Sequence, residues 1–175
     1  PSLPYLRALG LVDASGSARP NRKAKLAQCR RFVEVLDAAF RQLPAARAPG
    51  EKAGGHGAEA GPGYVDVVDM GAGMGYLTFS VYHRLTSLGV RVRCVGVEGR
   101  RAVCDAANAR AKEVGFDDLR FVQGTIGGYV HEGEGIDVLM ALHACDTATD
   151  DAIRAAVEGG ASLVVLAPCC HKEVK

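Results

Sequence analysis

Tyr64-Val65-Asp66-Val67-Val68-Asp69-Met70-Gly71-Ala72-Gly73-Met74-Gly75-Tyr76 runs from a β-rich segment through three alternating glycines into a helix-like stretch. β-Branched residues suit a packed pleat. Glycine admits the positive φ of a tight strand-to-helix turn and lets a ligand approach the backbone. Such turns lie at the carboxyl ends of strands, where open α/β sheets bind ligands. The spacing is D-x-G-x-G-x-G. A dinucleotide fingerprint, G-x-G-x-x-G, would place glycine at position 76, where this chain has Tyr76, so a nicotinamide-dependent oxidoreductase is a distant reading.

Downstream of this turn the pattern alternates. It predicts strands over 64–69, 90–97, 119–123, 136–142 and 161–167. Helices are predicted over 76–88, 100–114 and 146–157, the last capped by Asp146 or Thr147. Strand alternating with helix implies right-handed βαβ units, a parallel sheet and helices on both faces, a Rossmann-like α/β fold. The unbroken apolar runs IDVLMAL and ASLVVLA predict buried central positions for the fourth and fifth strands.

Upstream, Leu26, Cys29, Val33, Leu36, Phe40 and Leu43 form one apolar stripe, predicting an amphipathic helix over 22–43 that Pro44 ends. Residues 44–63 are nearly all Ala, Gly and Pro, and read as a flexible loop. Three parts result: a basic segment at 1–43, the loop at 44–63, and the α/β domain at 64–175. The net charge of +1 hides an uneven distribution. Through Arg31, the cations Arg7, Arg19, Arg22, Lys23, Lys25, Arg30 and Arg31 stand against Asp13 alone. Such an end suits an anionic partner, RNA among them, or forms a solvated helix face. If it is an RNA-binding arm, removing residues 1–31 weakens RNA binding more than cofactor binding.

The 175 residues, 48% hydrophobic and 23% charged, suit one soluble globular domain, and no apolar run is long enough to span a bilayer. Six scattered cysteines do not form a disulfide framework, so a reducing intracellular compartment is expected, cytoplasm or organelle matrix. A chain that opens on Pro1 without a signal peptide is expected to be processed or partial.

The glycine turn resembles motif I of class I S-adenosylmethionine (SAM)-dependent methyltransferases. The resemblance implies that Asp69 helps position the amino-acid end of SAM, that Gly71, Gly73 and Gly75 pass beneath it, and that Glu98, ending VGVEGR, accepts the ribose hydroxyls. The family often carries an acid for the adenine amino group after the third strand. Here Thr125 stands at that place, with Ile126 beside it. A narrower likeness rests on ALHACD at 141–146 with Thr149-Asp150, on APCCHK at 167–172, and on the basic stretch Asn21–Leu36. These resemble the methyltransferase-like 25 group and the methyltransferase portion of glutathione S-transferase C-terminal domain-containing proteins. Class I methyltransferases usually have seven strands, so a chain ending after the fifth is expected to lack the last ones.

His143 and Cys145 follow the fourth strand, and Cys169, Cys170 and His171 follow the fifth. Three readings stand. Cys145 or Cys169 is a thiolate nucleophile, as in pyrimidine C5 methylation, with His143, His171 or Lys172 lowering its pKa. Alternatively the residues hold zinc, although no C-x-x-C pair exists and no metal is assigned. In the third, small polarizable side chains line the acceptor pocket beside Pro168. For direct transfer to nitrogen or oxygen, Asp146 or His171 orients the acceptor. His83 and His131 are read as structural or solvated. The favoured reading is a SAM-dependent methyltransferase acting on an RNA acceptor. The rival is a catalytically inactive, methyltransferase-like structural subunit of an RNA–protein assembly.

Overall fold

The computed structural model describes residues 3–42, 63–133, 135–142, 144 and 147–168. Helix α1 (Pro4–Ala8), a 3-10 turn (Pro20–Arg22) and α2 (Lys23–Phe40) precede the sheet. There follow β1 (Val65–Met70), α3 (Tyr76–Ser87), β2 (Val92–Glu98), α4 (Arg101–Glu113) and β3 (Leu119–Gln123). A second 3-10 turn (Ile126–Gly128), β4 (Val138–Leu142), α5 (Thr147–Glu158) and β5 (Leu163–Ala167) complete the order. The expected loop at 44–63 lies almost wholly outside the described residues. No helix among the described residues is long and apolar enough to cross a membrane.

All strand pairs are parallel, in the order β3-β2-β1-β4-β5. The chain winds outward from β1 to β3, then returns to β4 on the other side of β1. This reversal opens a crevice at the carboxyl ends of β1 and β4, where open α/β sheets bind ligands. Every residue of β1 is buried, as its central place requires. The fifth strand departs from expectation. It is the outer strand of the described sheet, and its residues are half-buried with Val164 exposed. A continuous apolar run distinguishes strand from loop but not centre from edge.

The period-2 alternation of β1 divides the core between two faces. Val65 and Val67 join α1, α2, α3 and α4 through Leu6, Leu26, Phe79 and Ala107. Val68 and Met70 point the other way, to Ala152 and Ala156 of α5. On the outer edge Asn108 of α4 substitutes for a missing strand. Its amide donates to the Phe121 carbonyl at 2.8 Å, and the Phe121 N–H donates to its Oδ1 at 2.7 Å. That satisfies backbone groups an edge strand would leave open.

The amino-terminal segment shares this core. Tyr5, Leu6, Leu9, Leu11, Val12, Leu26, Phe32 and Leu36 are all buried in it. Removing residues 1–31 therefore exposes the first face of the sheet, and cannot separate RNA binding from cofactor binding as expected. α1 and the Val12–Ala18 bridge are too short to have a readable period.

In β2, Gly96 lies opposite Phe121 of β3. A Cβ at Gly96 would meet the Phe121 ring at 2.5 Å and the Ala72 Cβ at 2.9 Å. Overpacking of this kind costs about 1–3 kcal/mol. Gly96→Ala should lower the urea midpoint accordingly, and Phe121→Leu in the same chain should recover part of the loss. Additive losses in the double variant would show that the ring does not set the requirement.

Candidate functional site

The same alternation that buries Val65 and Val67 turns Asp69 toward α2 and α3, at the end of the central strand. Its carboxylate is 2% exposed and accepts a hydrogen bond from Thr78 Oγ1 at 2.6 Å. Burial pushes its pKa up to about 7, against which the single bond from Thr78 acts only partly.

The chain then turns. Gly71, Gly73 and Gly75 have φ of 77°, 57° and 79°. The N–H groups of Gly71 and Ala72 both donate to the Val97 carbonyl at 2.9 Å, fastening the turn to the end of β2. Gly73 N–H donates to Glu98 Oε2 at 3.1 Å. The glycines serve different needs. A Cβ at Gly75 would meet Phe121 at 2.6 Å, so packing beneath the turn excludes one. A Cβ at Gly73 would meet nothing within 4 Å, so the space above the turn is open to a ligand.

Glu98 is 9% exposed. Its Oε1 accepts from Arg100 N at 3.1 Å and Arg100 Nε at 2.7 Å. The Arg100 guanidinium holds the Glu98 carboxyl below its usual range, helped by the backbone N–H groups of Arg100 and Gly73. Three of roughly four lone-pair sites are used, leaving one acceptor position. The Arg100 side chain is 69% exposed, so a diol needing two positions has only a solvated guanidinium to displace.

The loop after β3 is tied to the same place. Gly124 N–H donates to the Glu98 carbonyl at 3.1 Å. Ile126 is half-buried, its Cδ1 3.7 Å from where Gly71 would carry a Cβ, while Thr125 is exposed. Thus Asp69, Gly71, Gly73, Gly75, Glu98 and Ile126 gather about one turn, with Thr125 at its rim.

A cavity of about 290 Å³ opens beside the glycine turn. Asp69 and Leu142, at the ends of β1 and β4, line it with Tyr76 and Leu77 of α3. Lys25 and Cys29 of α2 line it too. Sequence reasoning placed Lys25 in a charge run and Cys29 in an apolar stripe, and neither pattern reports what the helix packs against. Cys29, Cys94 and Cys104 are buried free cysteines, and burial pushes each thiol up, against thiolate formation.

His143, Cys145, Asp146, Cys169, Cys170, His171 and Lys172 lie outside the described residues. The strand ends they follow are neighbours, because Leu142 and Ala167 are register partners. Thr149 Oγ1 donates to the Ala144 carbonyl at 2.6 Å, joining the start of α5 to the end of β4. His83 packs against Tyr5 and Phe116, and His131 Nδ1 lies 3.2 Å from the Tyr129 hydroxyl.

A family model described as a methyltransferase domain matches residues 24–175. The chain is 30% identical over 93 residues to the uncharacterized methyltransferase YcgJ of Bacillus subtilis (strain 168), covering 52% of this chain and 33% of that protein. It is 29% identical over 105 residues to the human glutathione S-transferase C-terminal domain-containing protein, covering 60% of this chain and 15% of that one. It thus spans a third or less of these relatives. The citrinin polyketide synthase CMeT domain superposes with a TM-score of 0.48 at 18% identity, covering 67% of this chain and 27% of that one.

The raised pKa of Asp69 has a stability consequence. The native state keeps this proton to about pH 7, whereas the ordinary value is 3.8, so native stability falls as pH rises through that interval. Asp69→Asn keeps an oxygen for Thr78 and cannot ionise. Its stability relative to wild type should improve by about 2–3 kcal/mol from pH 5 to pH 8, at roughly 1.4 kcal/mol per pKa unit. Urea midpoints at both pH values measure this, and parallel behaviour of the two proteins would contradict it.

Proposed function

The chain belongs to the methyltransferase-domain family, and on that premise we propose that it binds SAM across the crevice of β1 and β4 and methylates an acceptor held at the ends of β4 and β5. The observation that carries this reading is the glycine turn, clamped to Val97 and Glu98 below and clear above Gly73. These residues fit the group: an open backbone turn, a buried acid on each side of it, and a cavity beside it.

When bound, SAM supplies an electrophilic methyl group on a sulfonium sulfur. The chain's own residues bind and orient. Glu98 has an acceptor position for a ribose hydroxyl and gains a second when Arg100 withdraws. Asp69 offers its carboxylate to an ammonium group, whose charge favours the ionised acid. Thr125 and Ile126 border the adenine. His143, Cys145, Asp146, Cys169 and His171 are the acceptor-side candidates by their places after adjacent strands. Holding two reactants in line is the main contribution such a site makes to the rate.

An RNA acceptor is the finer reading, and one observation favours it. The Arg22 guanidinium sits 5.9 Å from the centroid of the Tyr76 ring, beside the cavity, and Arg19, Lys23 and Arg30 are exposed on the same segment. Phosphates held there would release counterions, giving a steep salt dependence.

Calorimetric titration should show SAM binding and no NAD binding. Glu98→Ala should weaken SAM about 10- to 100-fold, the scale of lost hydrogen bonds to a charged acceptor. Tighter binding of NAD than of SAM would refute the cofactor assignment. For the acceptor, charge reversal at Arg19, Lys23 and Arg30 leaves the core intact and should weaken RNA binding while sparing SAM binding. A salt-insensitive affinity, or none, would redirect the search to protein or small-molecule acceptors. SAM binding without methyl transfer to fractionated RNA or protein would favour the structural-subunit reading.

A further inference from the structure

Among the described residues lining the cavity at the glycine turn, only Lys25 and Asp69 bear charged groups. They have opposite sign, yet each bonds elsewhere. The Lys25 ammonium donates to Gln28 Oε1 at 2.7 Å, three residues along α2, and Asp69 accepts from Thr78 across the floor. Among the described residues no ion pair joins Lys25 to any carboxylate. Both charges nevertheless act on one atom. The Cys29 thiol, raised chiefly by its burial in the cavity wall, is drawn down by Lys25 and pushed up further by Asp69. The pair therefore brackets a small space without closing it.

A cavity with an acid at its floor, ready to ionise beside a cation, and a separate cation at its wall complements a zwitterion. The amino-acid end of SAM is one: its ammonium suits Asp69, and its carboxylate lacks a partner among the residues so far assigned. We propose that Lys25 is the positioning residue that holds the SAM carboxylate, so that α2 supplies one wall of the cofactor site. This rests on the SAM-binding reading above. Lysine has three donors, so one can stay on Gln28 while another meets the ligand. Arg22 is the competing cation nearby, but it lies over the Tyr76 ring and does not line the cavity.

Decarboxylated SAM separates this contact from all others, because it keeps the ammonium, ribose and adenine and lacks only the carboxylate. Wild-type protein should bind SAM more tightly than decarboxylated SAM in a calorimetric titration. Lys25→Met should weaken SAM by about tenfold or more, as expected for a charge-assisted bond. The same variant should bind decarboxylated SAM as well as wild type or slightly better, which also shows that it is folded. Lys25→Arg should restore part of the preference, and Arg22→Met should leave it unchanged. Equal weakening of both ligands by Lys25→Met, no weakening of either, or loss of the preference in Arg22→Met would overturn the assignment while SAM binding itself stood. Failure of the wild-type protein to bind SAM at all would overturn the cofactor reading on which it rests.

Discussion

The carbonyl of Val97 accepts two successive N–H groups, from Gly71 and Ala72, and the adjoining Glu98 side chain accepts a third, from Gly73. A tight turn of positive-φ residues leaves its N–H groups pointing in one direction, and buried donors without partners are costly. Here the end of β2 satisfies them. The geometry follows from the sheet order, since β2 must lie beside β1 for its last residues to reach the turn. It also explains why Glu98 is buried yet ionised. The same carboxylate that supports the backbone is the one proposed to meet the ribose, so in that reading structure and ligand recognition draw on one group.

Asp69 makes the opposite use of burial. A carboxylate in the middle of a parallel sheet's end, with one hydroxyl for company, is held near its neutral form. That is unfavourable to stability at neutral pH, and a cation beside it would relieve the cost by favouring the ionised form. Thr78 cannot play that part, because its hydroxyl is neutral. Such poised acids cluster at functional sites. The two acids flanking the turn are thus tuned apart by their surroundings. Glu98 is stabilised as an anion before any ligand binds, and Asp69 is not.

Most of the sheet was legible because each strand is a short apolar run beside a helix-period segment. All five strands lie where that pattern placed them, with ends displaced by up to two residues. The site's floor was legible for the same reason: Asp69, the glycines and Glu98 sit at strand ends, and strand ends converge in this topology. Two things were not legible. The outer place of β5 in the described sheet depends on what neighbours it, and periodicity carries no such information. The place of α2 depends on tertiary packing. Leu26, Phe32 and Leu36 announce a buried face, but nothing local says that this face meets β1 near Asp69 and carries Cys29 and Lys25 with it.

That packing changes how the basic segment should be understood. Read as a charge run, Arg19 to Arg31 is a uniform surface. In the fold it is divided by the helical period. Leu26 and Cys29 face the core, Lys25 lies at the border where the core meets the crevice, and Lys23, Arg30 and Arg31 face solvent. A lysine at such a border keeps its stem against apolar neighbours while its ammonium stays at the polar rim. Charges on the solvent side are screened within about 10 Å at moderate salt and act on whatever approaches from outside. The border charge is less screened and acts inward, on the Cys29 thiol. One helix thus separates an outer field, suited to steering an anionic acceptor, from a single inner charge suited to fixing a small ligand. The two are expected to differ in salt dependence because they differ in solvent exposure, not in residue type.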